Sequence, residues 1–94
     1  MARLYEDINV KQVLLDILKM YECNSEHVIQ MEDTLSEDLG LDSLDMIEVI
    51  MDIEDAFDYN IEIYDEEQEH IQTVEDLFNL VLNKFEEVKH LYGR

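Results

Sequence analysis

Three stretches of the chain place apolar residues three and four positions apart, the spacing of one face of an α-helix. They run from about Tyr5 to Tyr21, from Asp42 or Ser43 to about Asp58, and from Val74 towards Gly93. With two glycines and no proline, the chain has few of the turn residues that β-hairpins use. The sequence therefore predicts an all-α fold built on three long amphipathic helices.

The middle helix carries two groups of apolar residues. One group forms the stripe expected to face the core: Met46, Val49, Ile50, Ile53 and Phe57. The other group, Leu44, Ile47 and Met51, lies on a neighbouring face among the carboxylates of Glu48, Glu54 and Asp55. We expect the first face to pack and the second to stay available.

The segment before this helix is polar, with apolar residues expected to anchor it to the core. These anchors are Val28, Ile29, Met31, Leu35, Leu39 and Leu41. Gly40 lies just before Ser43, where a turn with positive φ would be easiest.

The segment after the middle helix is predicted to be an ordered loop followed by a short helix. Residues 59–64 alternate weakly, but a lone strand would have nothing to pair with. We expect Ile61 and either Ile63 or Tyr64 to anchor this loop. Residues 65–71 then form the short helix, and residues 73–76 have the capping-box pattern of a new helix. Three long helices and one short one predict a small four-helix bundle.

Length and cysteine content limit the number of domains and the cellular compartment. A chain of 94 residues makes a single domain, here residues 1–94, with a modest core. Cys23 is the lone cysteine and cannot form an internal disulfide, which fits a reducing compartment. No stretch approaches the roughly 20 apolar residues of a membrane span, and no signal-peptide pattern is visible. We therefore expect a cytoplasmic protein. We also expect it to function as a monomer.

Charge indicates the kind of partner. The chain has 25 acidic and 6 basic residues, a net charge of −19, and no Lys or Arg lies between Met20 and Asn83. Such a surface repels nucleic acid and anionic membranes and attracts proteins with basic docking sites. The strict apolar periodicity argues against the alternative that this charge marks disorder.

Taken alone, Ser43 has two interpretations. A serine at the start of a helix most often serves only as an N-cap. A hydrolase nucleophile is disfavoured, because the sequence around Ser43 lacks the G-x-S-x-G pattern and no positioned base is apparent.

The residues Asp58, Asn60 and Glu62 have some of the spacing of a calcium-binding loop. The position that requires glycine for the turn of such a loop is occupied by Ile63. No specific metal site is predicted.

The run from Asp38 to Asp45, DLGLDSLD, resembles the modification motif of the acyl carrier protein family. The similarity extends to the residues from Leu35 to Ile53 and to the helix start TVEDL at Thr73, so it covers roughly residues 8–85. The loop at residues 61–65 departs from the family pattern, because it lacks a proline and is about two residues longer. The Gly-Leu-Asp-Ser-Leu sequence is closer to fatty-acid and polyketide carriers than to peptidyl carriers.

The resemblance implies a function for these residues. In this family a separate transferase uses coenzyme A and a divalent metal to attach a 4′-phosphopantetheine arm to the serine, here Ser43, flanked by Asp42 and Leu44. The arm holds acyl chains as thioesters, and the protein is a carrier rather than an enzyme. The expected partners are the phosphopantetheinyl transferase and acyl-transfer or synthase enzymes with basic surfaces.

The resemblance also assigns a docking surface to the middle helix. Its members would be Leu44, Ile47, Glu48, Met51, Glu54 and Asp55. Apolar side chains would fill a pocket on the partner, and carboxylates would meet its basic groups. The alternative left open is an acidic helical interaction module, neither catalytic nor modified, in which Ser43 is only a helix cap.

Overall fold

The computed structural model describes residues 9–22, 26–57 and 61–92, of which 88–92 are described as backbone only. Within them lie four helices: α1 (Val10–Tyr21), α2 (Ser43–Ala56), α3 (Asp65–Gln68) and α4 (Val74–Tyr92). The prediction of a helical bundle with three long helices and one short one is confirmed. Within the same ranges, no helix combines the length and the apolarity needed to cross a bilayer.

Helix α1 begins where Asn9 caps it, since the Asn9 side chain accepts a hydrogen bond of 3.1 Å from the backbone amide of Gln12. One face of the helix is buried, as the periodicity predicted, and consists of Val10, Leu14, Ile17 and Leu18. This face packs against α2 and α4. The predicted first turn, from Tyr5 to Ile8, lies outside the described residues.

Helices α2 and α4 complete the core with their own apolar stripes. In α2 the predicted core residues Val49, Ile50 and Ile53 are buried, while Met46 is half-buried. Phe57 follows the helix as its C-cap and packs on Phe85 of α4, with the ring centres 5.5 Å apart. The buried residues of α4 are Val74, Leu77, Val81 and Phe85. The end predicted for α2, Asp58, lies outside the described residues, as does the side chain of Val88, which continues the apolar spacing of α4.

Three of the residues predicted to anchor the loop are buried, and the prediction for a fourth is wrong. Leu35, Leu39 and Leu41 are buried, and Ile29 and Met31 are half-buried against the core. Val28, by contrast, is 71% exposed. The loop is held here by polar contacts instead: the His27 carbonyl accepts a hydrogen bond from Lys19 Nζ, and His27 Nε2 lies 2.7 Å from Asp33 Oδ2.

The connection between α2 and α3 is anchored by two isoleucines, Ile61 and Ile63, both of which are buried. Tyr64, the alternative anchor, is 51% exposed, and its ring lies under Lys84 Nζ at 5.1 Å. Lys84 also forms an ion pair of 3.1 Å with Glu67, which ties α3 to α4. Helix α3 ends at Gln68, earlier than the predicted Ile71. Tyr59 and Asn60 lie outside the described residues.

The loop before α2 is fastened to the start of α4 by backbone hydrogen bonds. Thr34 and Thr73 form an isolated antiparallel bridge, in which Leu35 N donates to Gln72 O and Val74 N donates to Asp33 O, each at 2.9 Å. These bonds satisfy backbone groups that would otherwise lack partners at a helix start. They hold the segment leading to Ser43 beside α3 and α4.

Candidate functional site

The turn into α2 depends on Gly40. Its φ of 76° lies in the left-handed region, which glycine adopts at little cost, and this confirms the turn predicted there. The turn is closed by backbone hydrogen bonds from Leu39 N to Thr34 O at 3.1 Å and from Leu41 N to Leu35 O at 2.9 Å. Because Leu39 and Leu41 are both buried, the chain enters α2 from a fixed position.

The N-cap of α2 is Asp42 and not Ser43. Asp42 Oδ1 accepts a hydrogen bond of 2.8 Å from Asp45 N, and Asp45 Oδ2 accepts one of 3.2 Å from Asp42 N, so the two aspartates form a capping box. The hypothesis that Ser43 serves only as a helix cap is therefore wrong. Asp42 has the extended backbone of a cap residue, whereas Ser43 is already the first helical residue.

Ser43 presents its hydroxyl to solvent. The side chain is exposed, and no described protein group forms a hydrogen bond with its Oγ. The amides of the first helical turn lack acceptors within the helix, and the helix dipole is positive at this end. An anionic group on Ser43 would be favoured by those amides and opposed by the carboxylates of Asp42 and Asp45.

Ser43 lies on the edge of a groove of about 800 Å³ between the preceding loop, the start of α2 and the α3 region. The apolar lining consists of Leu35, Leu41, Met46, Ile47 and Ile71. The uncharged polar lining consists of Thr34, Ser36, Gln68 and Gln72. The remaining lining residues, Glu37, Asp65 and Glu69, are acidic.

Sequence reasoning missed the α3 side of this groove. Gln68, Glu69 and Gln72 lie 25 to 29 residues beyond Ser43, and no periodicity relates them to it. Gln72 is positioned by Asp76, whose Oδ2 accepts hydrogen bonds of 3.1 Å from the amides of Gln72 and Thr73. These two backbone bonds hold the pKa of Asp76 below its usual range. Asp76 N donates in return to Thr73 Oγ1 at 3.1 Å, which confirms the predicted capping box.

The second apolar face of α2 is exposed, as predicted. Leu44, Ile47 and Met51 are 69%, 50% and 58% exposed, and their spacing places them on one side of the helix. Glu48 and Asp55 are exposed on the same side. Apolar side chains flanked by carboxylates therefore lie immediately beside Ser43.

Glu54 differs from the other carboxylates of this face. It is half-buried, and its Oε2 accepts a hydrogen bond of 3.0 Å from the backbone amide of Ile63. Since Ile63 is a buried anchor of the loop after α2, Glu54 fastens that loop to the helix. Its carboxylate has a structural partner, unlike those of Glu48 and Asp55, for which no hydrogen bond or ion pair occurs in the described part of the chain.

Comparison with known proteins gives this arrangement a family. A family model described as a phosphopantetheine attachment site matches residues 9–81. A protein named acyl carrier protein from Campylobacter lari is 39% identical over 75 residues, which cover 80% of this chain and 90% of that protein. The chain belongs to the acyl carrier protein family.

Two further acyl carrier proteins are similar over nearly their whole length. The protein from Syntrophobacter fumaroxidans is 41% identical over 80 residues, covering 83% of this chain and 96% of the relative. The protein from Chlorobium phaeobacteroides is 35% identical over 78 residues, covering 83% and 97%. Acyl carrier proteins are carriers and not catalysts, and their prosthetic group is a covalently attached 4′-phosphopantetheine. Family membership also implies interaction with a phosphopantetheinyl transferase and with acyl-handling enzymes.

Proposed function

We propose that Ser43 is the attachment point of the 4′-phosphopantetheine arm and that the chain carries acyl intermediates on it. The carried groups would be thioesters on the arm's terminal thiol, delivered to partner enzymes of fatty-acid or related polyketide or specialised lipid biosynthesis. When attached, the arm supplies the thiol that forms the thioester and the flexible linker that lets the acyl group enter a partner enzyme. The protein supplies the position of the serine and the surface that partners bind.

The observation that carries this proposal is the state of the Ser43 side chain. It is exposed at the first residue of α2, and the capping that a serine could provide is already provided by Asp42. The hydroxyl has no hydrogen-bond partner among the described protein groups, so a transferase could approach it without breaking a structural contact. Asp42 and Leu44 flank Ser43, and the transferase would contact both when it recognises the serine.

The modification needs no activating base on the carrier. Ser43 Oγ would attack the β-phosphorus of coenzyme A in the active site of the transferase. A phosphodiester bond to Oγ forms, the pyrophosphate bond breaks, and 3′,5′-adenosine bisphosphate leaves. The serine proton passes to a base of the transferase. The amides of the first turn of α2 would then lie near the new phosphate, where a helix N-terminus favours an anion.

The exposed face of α2 would be the docking surface for these partners. Leu44, Ile47 and Met51 provide apolar contact area, and Glu48 and Asp55 provide charge for basic groups on the partner. Complementary charge speeds encounter and sets register more than it adds affinity, which suits a carrier that must dissociate after each delivery. The net charge of −19 disfavours nucleic acid as a partner.

We further propose that residues 1–94 form one carrier domain that works as a monomer in the cytoplasm. The match to the family model over residues 9–81 supports a single domain. The lone Cys23 is compatible with a reducing compartment.

Intact mass spectrometry tests the attachment directly. The purified protein is incubated with coenzyme A, Mg²⁺ and a transferase of broad specificity, and its mass is measured before and after. We expect a gain of one phosphopantetheine on the wild type and none on Ser43→Ala. Ser36→Ala is the matched control, because Ser36 is also exposed and also lines the groove. It should gain the arm as the wild type does.

Two results would overturn the assignment. A mass gain on Ser43→Ala would place the arm on another side chain, which peptide mapping would locate. No gain on the wild type would instead favour the acidic interaction module, in which the exposed face of α2 binds partners without a prosthetic group.

A further inference from the structure

The apolar part of the proposed docking surface contains one sulfur atom. Leu44 and Ile47 are hydrocarbon side chains, whereas Met51 ends in a thioether, which peroxides oxidise to a sulfoxide. Met51 is 58% exposed, so a peroxide in solution has access to it. Oxidation turns a flexible apolar side chain into a polar one. The apolar character of this surface therefore depends on the oxidation state of one residue.

The other methionines have different surroundings. Four of the five lie in the described part of the chain. Met31 and Met46 are half-buried and pack against the core, so a polar oxygen on either would disturb the fold. Met20 is 72% exposed on α1, outside the proposed docking surface. Of these four, Met51 alone is both exposed and part of that surface, so its oxidation would change docking and leave the core untouched.

The neighbours of Met51 on α2 offer no hydrogen-bond donor to an oxidised sulfur. Residues three and four positions away are adjacent on a helix surface, and for Met51 these are Ile47, Glu48, Glu54 and Asp55. An ionised carboxylate accepts hydrogen bonds and donates none. Water would therefore hydrate a sulfoxide oxygen in the free protein. In an apolar pocket of a partner the oxygen would lose that water, and an unpaired polar group there opposes binding.

We propose that Met51 is a site of reversible oxidation by peroxides and that its sulfoxide weakens docking of the phosphopantetheinyl transferase on α2. The inference rests on the proposed function and adds a way in which that function responds to oxidants. The sulfur gives two electrons to one oxygen of hydrogen peroxide, the O–O bond breaks, and the other oxygen leaves as water with both protons. Two thiols of a reductase reverse the step, because they form a disulfide while the sulfoxide oxygen leaves as water.

Transferase kinetics before and after oxidation test the proposal. The unmodified protein, in a Cys23→Ser background that removes the thiol, is treated briefly with hydrogen peroxide, freed of it, and given coenzyme A, Mg²⁺ and the transferase. Intact mass counts the oxygens added, and peptide mapping locates them. We expect oxidation at Met51 to lower kcat/KM roughly tenfold, the scale of burying one unpaired polar group. A methionine sulfoxide reductase should restore the original value.

Variants separate the two exposed methionines. Met51→Leu will have its own kcat/KM, which peroxide should leave unchanged because leucine carries no sulfur. Met20→Leu should lose kcat/KM on oxidation as the wild type does. Met51→Gln makes the side chain permanently polar and should lower kcat/KM without oxidant, whereas Met20→Gln should not. The melting temperatures of both glutamine variants should stay close to that of the wild type, since each position is exposed.

Several outcomes would overturn the inference. Equal losses of kcat/KM on oxidation of Met51→Leu and of the wild type would assign the effect to another residue. A kcat/KM unaffected by the Met51 sulfoxide, or by Met51→Gln, would show that docking tolerates a polar group there. A melting temperature lowered by the Met51 sulfoxide would attribute the loss to the fold and not to docking. If the untreated wild type received no arm at Ser43, the proposed function would fail instead.

Discussion

The phenol of Tyr21, in the last turn of α1, donates a hydrogen bond to the carboxylate of Asp52 on α2. This bond, with smaller contributions from burial and from the negative charges of Asp52, Glu48 and Asp45, raises the pKa of Tyr21 from 10.0 to about 12. The neutral phenol is therefore the form that links the two helices. Deprotonation would place two negative charges in contact and break the link.

The Tyr21 link predicts how the stability of the protein changes in alkali. Because the folded pKa is raised, the contribution of Tyr21 is complete below pH 10 and is lost as the pH rises through about 12. We expect one of the five tyrosines to titrate late in a 295 nm absorbance titration of the native protein. That late step should disappear in Tyr21→Phe and move towards pH 10 in Asp52→Asn. An unchanged titration in Asp52→Asn would contradict the assigned cause.

The capping box predicts which residue at the start of α2 matters for stability. Asp42→Ala should lower the free energy of unfolding by about 1 kcal/mol, because it leaves the amide of Asp45 without its acceptor. Ser43→Ala should change it by less than about 0.5 kcal/mol, since the hydroxyl has no partner among the described groups. Urea denaturation of the unmodified proteins measures both. A larger loss of unfolding free energy for Ser43→Ala than for Asp42→Ala would indicate that Ser43, and not Asp42, caps the helix.

The hydrogen bond of Glu54 predicts that two carboxylates on the same face of α2, Glu54 and Glu48, differ in their contribution to stability. Glu54→Ala should destabilise the protein by about 1 kcal/mol, because the amide of buried Ile63 loses its acceptor. Glu54→Gln keeps an acceptor oxygen and should lose less. Glu48→Ala serves as the control, since Glu48 is exposed, and its melting curve should match that of the wild type. Equal effects of Glu54→Ala and Glu48→Ala would show that the bond to Ile63 adds nothing.

The proposed docking surface predicts a salt-dependent kinetic effect of charge reversal. Glu48→Lys and Asp55→Lys should each lower the kcat/KM of the transferase by roughly threefold at low salt, with the loss shrinking as salt is added. Their melting temperatures should change little. Glu86→Lys makes the same charge change at an exposed position on α4 and should leave kcat/KM nearly unchanged. An equal loss in Glu86→Lys would attribute the effect to net charge rather than to the face of α2.

The crowding of carboxylates predicts that cations stabilise the fold. No Lys or Arg stands between Lys19 and Lys84, so like charges repel across most of the chain. We expect the melting temperature to rise with NaCl and to rise further with MgCl₂ at equal ionic strength. We expect the rise to be gradual and without a sharp stoichiometric end point, because screening of many exposed charges needs no defined site. Identical melts in all these buffers would show the repulsion to be negligible.

The helices and their core faces could be predicted because both follow from local spacing. Val49, Ile50 and Ile53 are buried where a period of 3.6 residues places them, and Leu44 and Met51 are exposed by the same rule. The proposal that Ser43 carries the arm rests on an eight-residue motif, which is also local. These features require no knowledge of which segments meet in space.

The features that sequence reasoning missed depend on contacts between distant segments. Val28 is apolar, yet the loop reaches the core through Leu35 and Leu39, while polar contacts hold its first residues. The choice between Asp42 and Ser43 as the cap was open because both side chains can accept the bond. The groove includes Gln68 and Gln72 because the chain returns to that place after α3, which no local pattern shows.

The bridge between Thr34 and Thr73 joins a residue before α2 to the residue that directly precedes α4, and so closes a loop in the chain. The serine lies inside this closed loop, so its location is set from both sides, by the Gly40 turn and by a strand-like clasp formed some thirty residues later. A cut anywhere between α2 and α4 would leave the serine motif intact, but the bridge would then join two separate pieces of chain and would depend on noncovalent contacts alone. Such a nicked protein would keep every residue of the recognition sequence, and the position of that sequence would depend on how firmly the two pieces stay together.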